Sequence, residues 1–217
     1  MASGPFEIPF ERLPATLPIF PLPNAVVMPG CQLPLNIFEP RYLNMVFDAL
    51  GSERLIGMVQ PDAAGSRHES VYRTGTAGRI SFFNETADGR LMIVLSGVCR
   101  FDISREFPTT RGYRRAAVDW TRFRGDYDEL QPSHSSEPVI ALLQDYFAGR
   151  NLDTDWKVLA NMNTVDLVNR LTCVLPLEVA ERQALVEAVS ADERTRSLIT
   201  LLRCETVESA ADSSRRH

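Results

Sequence analysis

The chain has 217 residues with 23 basic and 28 acidic side chains, so its formal net charge is −5 and it lacks the cation excess of a nucleic-acid surface. Hydrophobic residues make up 44% and charged residues 24% of it, proportions that exclude long disorder. The longest wholly aliphatic or methionine run, Leu91–Leu95, is far shorter than the roughly 20 residues of a membrane helix. The N-terminus lacks the basic start and apolar core of a secretory signal, so the default is a cytoplasmic protein.

The first predicted elements are two short strands and a helix. Thr16–Phe20 and Leu33–Ile37 favour strands, and Pro21–Asn24 between them predicts a turn. Residues 17–42 contain six prolines, which fit edge strands and turns because proline cannot donate to a sheet ladder. A helix follows Pro40 and ends at Gly51. Its apolar stripe, spaced i, i+3, i+4, i+7, consists of Leu43, Val46, Phe47 and Leu50.

A strand over Leu55–Gln60 leads to the clearest hairpin of the sequence. Its predicted strands are Arg79–Thr86 and Leu91–Arg100, joined at Asp88-Gly89, a pair typical of a two-residue type I′ turn. That turn pairs residue 83 with 94 and residue 85 with 92. A further strand is predicted over Tyr113–Phe123.

After Phe123 the pattern changes from strands to helices. The polar segment Arg124–Ser136 predicts a linker between a β-rich subdomain, residues 15–123, and a helical subdomain, residues 137–206, with flexible ends at 1–14 and 207–217. Ser190 and Glu193 have the spacing of a capping box. Three helical stripes precede it: Val139, Leu142, Leu143, Tyr146 and Phe147; Val165, Val168, Leu171 and Leu175; Ala180, Ala184, Leu185 and Ala188.

Three motifs resemble the N-terminal, substrate-binding domain family of Lon proteases. The run LPIFPLPNAVVMPGCQLPLNIFEPRY at residues 17–42 is similar to the opening of that family, Gly97–Phe101 to its G-x-x-R-F segment, and Pro176–Leu185 with Glu187 to a later segment. The resemblance implies an α+β fold: a PUA-like pseudo-barrel with one helix, then an all-α helical bundle. A full-length Lon protease would add an ATPase module and a Ser-Lys protease module.

The residues of the chain do not form a recognisable catalytic or metal-binding motif. The single lysine, Lys157, lies in no Walker A loop and has no Ser-Lys signature around it. The four cysteines and three histidines are scattered, which indicates structural thiols and neither a metal nor a cofactor. The neighbouring carboxylates Asp126, Asp128 and Glu129 are interpreted as a solvated charge cluster in the linker. The sequence therefore predicts a non-enzymatic protein.

Two polar motifs have both a structural and a functional interpretation. Glu39-Pro40-Arg41-Tyr42 is interpreted as structural, because proline fits the first turn of a helix and an acidic residue favours its N-terminus. A basic cluster keeps an RNA-binding module as the alternative function, although acidic residues lie near it in sequence. It comprises Arg111, Arg114, Arg115, Arg122 and Arg124.

The hairpin provides the candidate binding site. Phe82 is predicted to face the core with Ile80, whereas Phe83 lies with Met92 and Val94 on the opposite face. That face predicts an apolar patch rimmed by Ser81, Glu85 and Ser96, unless another part of the chain covers it. Pro23 and Val26, in the first turn, form a second candidate contact.

The leading functional hypothesis follows from the resemblance together with this patch. The chain is expected to bind exposed apolar segments of peptides, unfolded proteins or a partner protein without hydrolysing them. A separate protease or chaperone is left open as a further partner, nucleic acid is disfavoured and no membrane is expected. The oligomeric state stays open.

Overall fold

The computed structural model describes residues 8–62, 65, 70–109, 111–127, 135–150 and 154–215. The chain divides into two compact units, Met1–Glu129 and Leu130–His217. The first unit contains the strands β1 (Thr16–Pro21), β2 (Gln32–Ile37), β3 (Leu55–Val59), β4 (Thr74–Glu85), β5 (Leu91–Phe107) and β6 (Arg114–Asp119), with helix α1 (Pro40–Leu50). The second contains α2 (Glu137–Ala148), α3 (Trp156–Ala160), α4 (Thr164–Val174), α5 (Val179–Glu187) and α6 (Ala191–Arg215). The predicted α+β class is confirmed.

The six strands form one sheet in the order β2-β5-β4-β3-β1-β6. A further pairing between β5 and β6 closes β5, β4, β3, β1 and β6 into a ring. Strand β2 lies outside the ring, beside the first half of β5. The β1–β3 pair is parallel and the others are antiparallel. The hairpin end of β4 and β5, together with β2, therefore forms a three-stranded arm that extends from the ring.

The interior of the ring is aromatic and aliphatic. Trp120 lies edge-on to Phe101, with ring centroids 5.7 Å apart, and its Nε1 donates to the carbonyl of Pro14 at 2.9 Å. Burying these two rings stabilises the core, because each removes a large apolar area from water. The buried set is Leu17, Ile19, Leu55, Val59, Ala77, Cys99, Phe101, Ile103, Ala116, Val118, Trp120 and Phe123.

Helix α1 begins and ends as predicted, but of its predicted apolar stripe only Val46 is fully buried, while Leu43 and Leu50 are half-buried. Phe47 is 51% exposed. The buried residues are Tyr42, Met45, Val46 and Ala49. The Tyr42 ring stacks on Phe20 of β1 at 4.3 Å between centroids. This aromatic contact rotates the helix by about one residue relative to the stripe that apolarity alone selects.

The hairpin register also differs from the prediction. The amide of Thr86 donates to the carbonyl of Arg90 at 3.0 Å, and the amide of Gly89 donates to Thr86 at 3.0 Å, so the loop has three residues. Gly89 has φ +79°, whereas Asp88 is not in the left-handed region that a type I′ turn needs at both positions. Residue 83 consequently pairs with 93 and residue 82 with 94. A bulge between Ile80 and Phe82 shifts the register by one more residue, so that the buried Ile80 pairs with the buried Leu95.

The first unit extends beyond both predicted limits. The predicted last strand ends at Asp119, and Thr121–Asp126 form a 3-10 helix that continues into the predicted linker. Tyr127 lies edge-on to Phe10, 5.5 Å away, and its hydroxyl donates to the carbonyl of Ile8 at 2.9 Å. Residues 8–14 are therefore not a flexible lead-in, and residues 124–127 are not an open linker.

The described helices of the second unit share an apolar core, with buried polar groups beside it. Of the predicted α5 stripe, Ala180 and Ala184 are exposed, whereas Arg182 and Gln183 are buried. Arg182 donates from Nη2 to the carbonyl of Leu175, 2.7 Å away, at the C-terminus of α4. The Arg182 guanidinium thereby satisfies a helix-terminal carbonyl, which offsets the cost of burying that side chain, and Gln183 donates from Nε2 to Glu187 Oε1 at 2.8 Å. The core consists of Val139, Leu143, Tyr146, Leu167, Val168, Leu171, Leu175, Leu177, Leu185, Leu198 and Leu202.

The capping interaction before α6 is present in shifted form. The amide of Glu193 donates to Ser190 Oγ at 3.1 Å, while the Glu193 carboxylate accepts from the amide of Val189 at 2.9 Å. Helix α6 continues to Arg215 and includes most of the predicted flexible end.

Candidate functional site

The arm presents an apolar surface on the face opposite its buried residues. Registers across the three strands place Pro34 of β2, Val94 of β5 and Phe82 of β4 side by side in one row. Directly opposed residues of antiparallel strands point to the same face, so these side chains adjoin one another. Met92 lies in the next row. We call these four residues the arm patch: Pro34, Phe82, Met92 and Val94.

The arm patch is open to solvent and has a polar border. Phe82 is 53% and Met92 49% exposed. Asn36 and Asn84 flank Met92 in its row, and Gln32 pairs with Ser96 at one end. The surface thus has an apolar centre and a polar border, and covering that centre would remove apolar area from water.

The bulge that turns Phe82 outward is held by side-chain hydrogen bonds. Ser81 Oγ donates to the carbonyl of Val94 at 3.1 Å, and Ser96 Oγ donates to Ser81 Oγ at 3.0 Å. At the other end of the surface the Arg90 guanidinium lies 5.6 Å from the centre of the Phe38 ring, and Phe38 is 61% exposed. The aromatic side chains of this face are therefore held by defined neighbours while one side of each stays open.

The structure brings together only part of the predicted site. Met92 and Val94 belong to the arm patch, as predicted, but Phe83 pairs with the buried Ile93 and lies on the opposite face, 50% exposed. Phe82, predicted as a core residue, takes the place assigned to Phe83. Val26 is 7% exposed, so its prediction as a contact residue is wrong. The residue that sequence reasoning overlooked is Thr86. Its hydroxyl and its backbone amide both donate to the carbonyl of Arg90, which favours a three-residue loop.

Pro23 lies at a different place, on a cleft of about 320 Å³. Arg41 borders this cleft, donates from Nε to Glu39 at 2.9 Å and stacks on the Tyr42 ring at 4.6 Å. The carbonyl of Glu39 accepts the amides of Tyr42 and Leu43 at the start of α1. These contacts agree with the structural interpretation of the Glu39–Tyr42 motif.

The G-x-x-R-F segment holds a buried ion pair. Arg100 is 2% exposed and donates from Nη2 to Asp126 Oδ1 at 2.7 Å and from Nε to Oδ2 at 3.0 Å; its backbone amide donates to Oδ2 at 2.9 Å. The interpretation of Asp126 as a solvated linker residue is therefore wrong. Burial, together with the Asp126 charge, raises the pKa of the Cys99 thiol far above its ordinary value, so Cys99 is an unreactive core residue. A Cβ on Gly97 would lie 2.1 Å from the carbonyl of Met28, so this position needs glycine.

The basic cluster is largely neutralised by ion pairs. Measured from nitrogen to oxygen, Arg111 lies 2.9 Å from Asp48 and Arg114 lies 2.5 Å from Glu106. Arg122 lies 3.4 Å from Asp102, and Arg124 lies 3.1 Å from Glu11. Phosphate binding needs several uncompensated cations. The arrangement therefore does not favour the RNA-binding alternative.

The described residues hold neither a metal-binding cluster nor a helix suited to span a membrane. No group of three or more His, Cys, Asp or Glu side chains among them is placed to hold a metal ion. No helix in the described parts of the chain has the length and apolarity to cross a membrane.

The chain combines a closed β-ring that carries a three-stranded arm with a set of helices that follows it in sequence. The model of the ATP-dependent protease La (LON) substrate-binding domain matches residues 16–203. The chain therefore belongs to the LON substrate-binding domain family, as its three motifs indicate.

Relatives and solved structures agree with this assignment. The chain is 27% identical to the Lon protease of Parabacteroides distasonis over 90% of its length and 26% identical to that of Cytophaga hutchinsonii over 90%. It spans about a quarter of the length of these relatives.

Among solved structures, it is similar to a Lon N-terminal domain protein from Xanthomonas campestris. The TM-score is 0.63 at 27% identity, covering 85% of this chain and 97% of that one. The N-terminal domain of a Mycobacterium avium complex Lon protease gives 0.62 at 18% identity, a likeness of fold alone, over 87% of this chain and 98% of that one.

Proposed function

We propose that the chain binds exposed apolar segments of unfolded or partner proteins through the arm patch. The observation that carries the proposal is the row of Pro34, Val94 and Phe82, with Met92 beside it, on an open sheet face. Membership of a substrate-binding domain family supports a polypeptide as the ligand. Burying an apolar segment against this surface stabilises the complex by about 25 cal/mol per Å² of apolar area removed from water, before the costs of association.

The test is a matched pair of phenylalanine substitutions. Phe82→Ser removes the aromatic centre of the arm patch, whereas Phe47→Ser removes an equally exposed ring from α1, outside the patch. Titration with an unfolded protein such as reduced, alkylated casein should show affinity at least tenfold weaker for Phe82→Ser and unchanged for Phe47→Ser, because aromatic anchors carry much of such binding free energy. Equal affinities for the two variants would show that the arm patch is not the binding surface.

Salt distinguishes this function from the RNA alternative. Binding by apolar contact should change little between low and high salt, whereas phosphate-dominated binding falls steeply.

We also infer that the chain itself neither hydrolyses ATP nor cleaves casein. Turnover that persists in a homogeneous preparation and disappears with a single substitution in this chain would contradict that inference.

A further inference from the structure

Among the described strands, the end of β4 that carries the two phenylalanines has a neighbour on one side only. Strand β3 pairs with β4 only as far as Arg79, opposite Leu55. The amide of Ile80 still donates to the carbonyl of Arg54 at 2.8 Å. From Phe82 to Glu85, β5 is the only strand that the described parts of the chain place beside β4.

The hydrogen-bond pattern shows which backbone groups face the open side. The bond from Thr86 to Arg90 marks a hydrogen-bonded pair, and such pairs alternate along an antiparallel ladder. Asn84 and Phe82 therefore bond to β5. Phe83 and Glu85 each direct one N–H and one C=O towards the open edge.

The other edge of the arm provides an internal contrast. Strand β2 pairs with β5 alone among the described strands, and Pro34 lies opposite Val94. The same alternation makes position 34 face away from β5, so proline removes the central donor of the β2 edge. Proline is a common device against the addition of a further strand. The β4 edge has no proline between Phe82 and Glu85.

We propose that the open edge of β4 binds an extended segment of the substrate polypeptide as an additional β-strand. This inference rests on the proposed function and specifies how the arm would take its ligand. Backbone groups of Phe83 and Glu85 would pair with the segment, while Phe82 and Phe83 would flank it on the two faces of the sheet. Recognition through the backbone tolerates varied sequences, and alternating side-chain contacts select apolar ones.

The length and charge of the edge determine the occupant. Four residues of strand span roughly 13 Å, which suits a short extended segment. Two such edges would bury far less than the ~1,200 Å² of a stable protein–protein interface, so a second copy of this chain is a poor partner. Glu85 is exposed and favours a lysine or arginine opposite it in the added strand.

The first experiment compares Glu85→Pro with Glu85→Ala in the full chain. Both remove the carboxylate and keep both phenylalanines, but only proline removes the outward N–H, and proline is tolerated where the missing donor faces solvent. The probe is a short acetylated peptide of alternating valine and threonine with one lysine. We expect affinity about tenfold weaker for Glu85→Pro than for Glu85→Ala.

The second measurement needs no variant. Amide hydrogen exchange of the wild-type chain, followed by NMR, should slow at Phe83 and Glu85 when the peptide is added and stay unchanged at Asn84, which already bonds to β5.

Each outcome has a defined meaning. A wild-type chain that binds neither this peptide nor casein contradicts the proposed function itself. Binding that Phe82→Ser weakens, with Glu85→Pro equal to Glu85→Ala and no new amide protection, keeps the proposed function and overturns strand addition. Protection that appears without peptide and rises with protein concentration assigns the edge to a second copy, which also overturns it.

Discussion

At the scale of single residues, charge burial separates two kinds of ion pair in this chain. Asp126 is 5% exposed in its side chain and pairs with Arg100, whereas Glu106 is 38% exposed and pairs with Arg114. Removing one member of a buried pair leaves an uncompensated charge in the core. Breaking an exposed pair costs little, because water solvates the charge that remains. Loss of the Asp126 carboxylate should therefore lower the stability of the first unit more than loss of the Glu106 carboxylate, although both ion pairs are short.

We expect Asp126→Ala to lower the free energy of unfolding of the first unit by about 3–5 kcal/mol, and Glu106→Ala by about 0–1 kcal/mol. The measurement is urea denaturation in a Trp156→Phe background, in which the fluorescence of Trp120 reports on the first unit. Similar losses for the two variants would show that the Arg100–Asp126 pair is not a buried structural contact.

At the scale of elements, a three-residue loop and a bulge decide which phenylalanine reaches the arm patch. The three-residue loop shifts the predicted pairing of β4 with β5 by one residue, and the bulge at Ser81 shifts it by one more, which returns Ile80 to the buried face. Because side chains alternate along a strand, a one-residue shift exchanges the two faces. The arm patch therefore depends on loop geometry as much as on the apolar residues that compose it.

The loop geometry can be tested at its glycine. Gly89 has φ +79°, so we expect Gly89→Ala to destabilise the first unit by about 1–2 kcal/mol. Gly51 has φ −78°, and a Cβ there would meet only backbone oxygens at 3.6 Å. Gly51→Ala should stabilise the unit by about 0.4–1 kcal/mol. The same denaturation experiment measures both, and a loss of stability for Gly51→Ala equal to that for Gly89→Ala would contradict the assigned turn.

At the scale of the whole molecule, the division between residues 129 and 130 separates two cores of different kind. A protease such as thermolysin should cut first within residues 128–134, since the sequence there is polar and joins two separately packed units. Arg124–Tyr127 should resist, because they belong to the packed end of the first unit. Mass spectrometry of the earliest fragments measures this, and a first cut before Tyr127 or within α2 would place the boundary elsewhere.

The sequence by itself determined the α+β class and the order of most strands and helices, because turn residues and apolar periodicity are local signals, and it indicated the family through its three motifs. It also indicated Met92 and Val94 as surface residues of the hairpin. Only the tertiary structure decided the exchange of Phe82 and Phe83, the burial of Val26 and the pairing of Asp126 with Arg100. Register depends on the conformation of a whole loop, and the burial of a charge depends on a partner 26 residues away. Neither can be read from neighbouring residues, because both depend on which strands pair and on which distant segments of the chain pack against them.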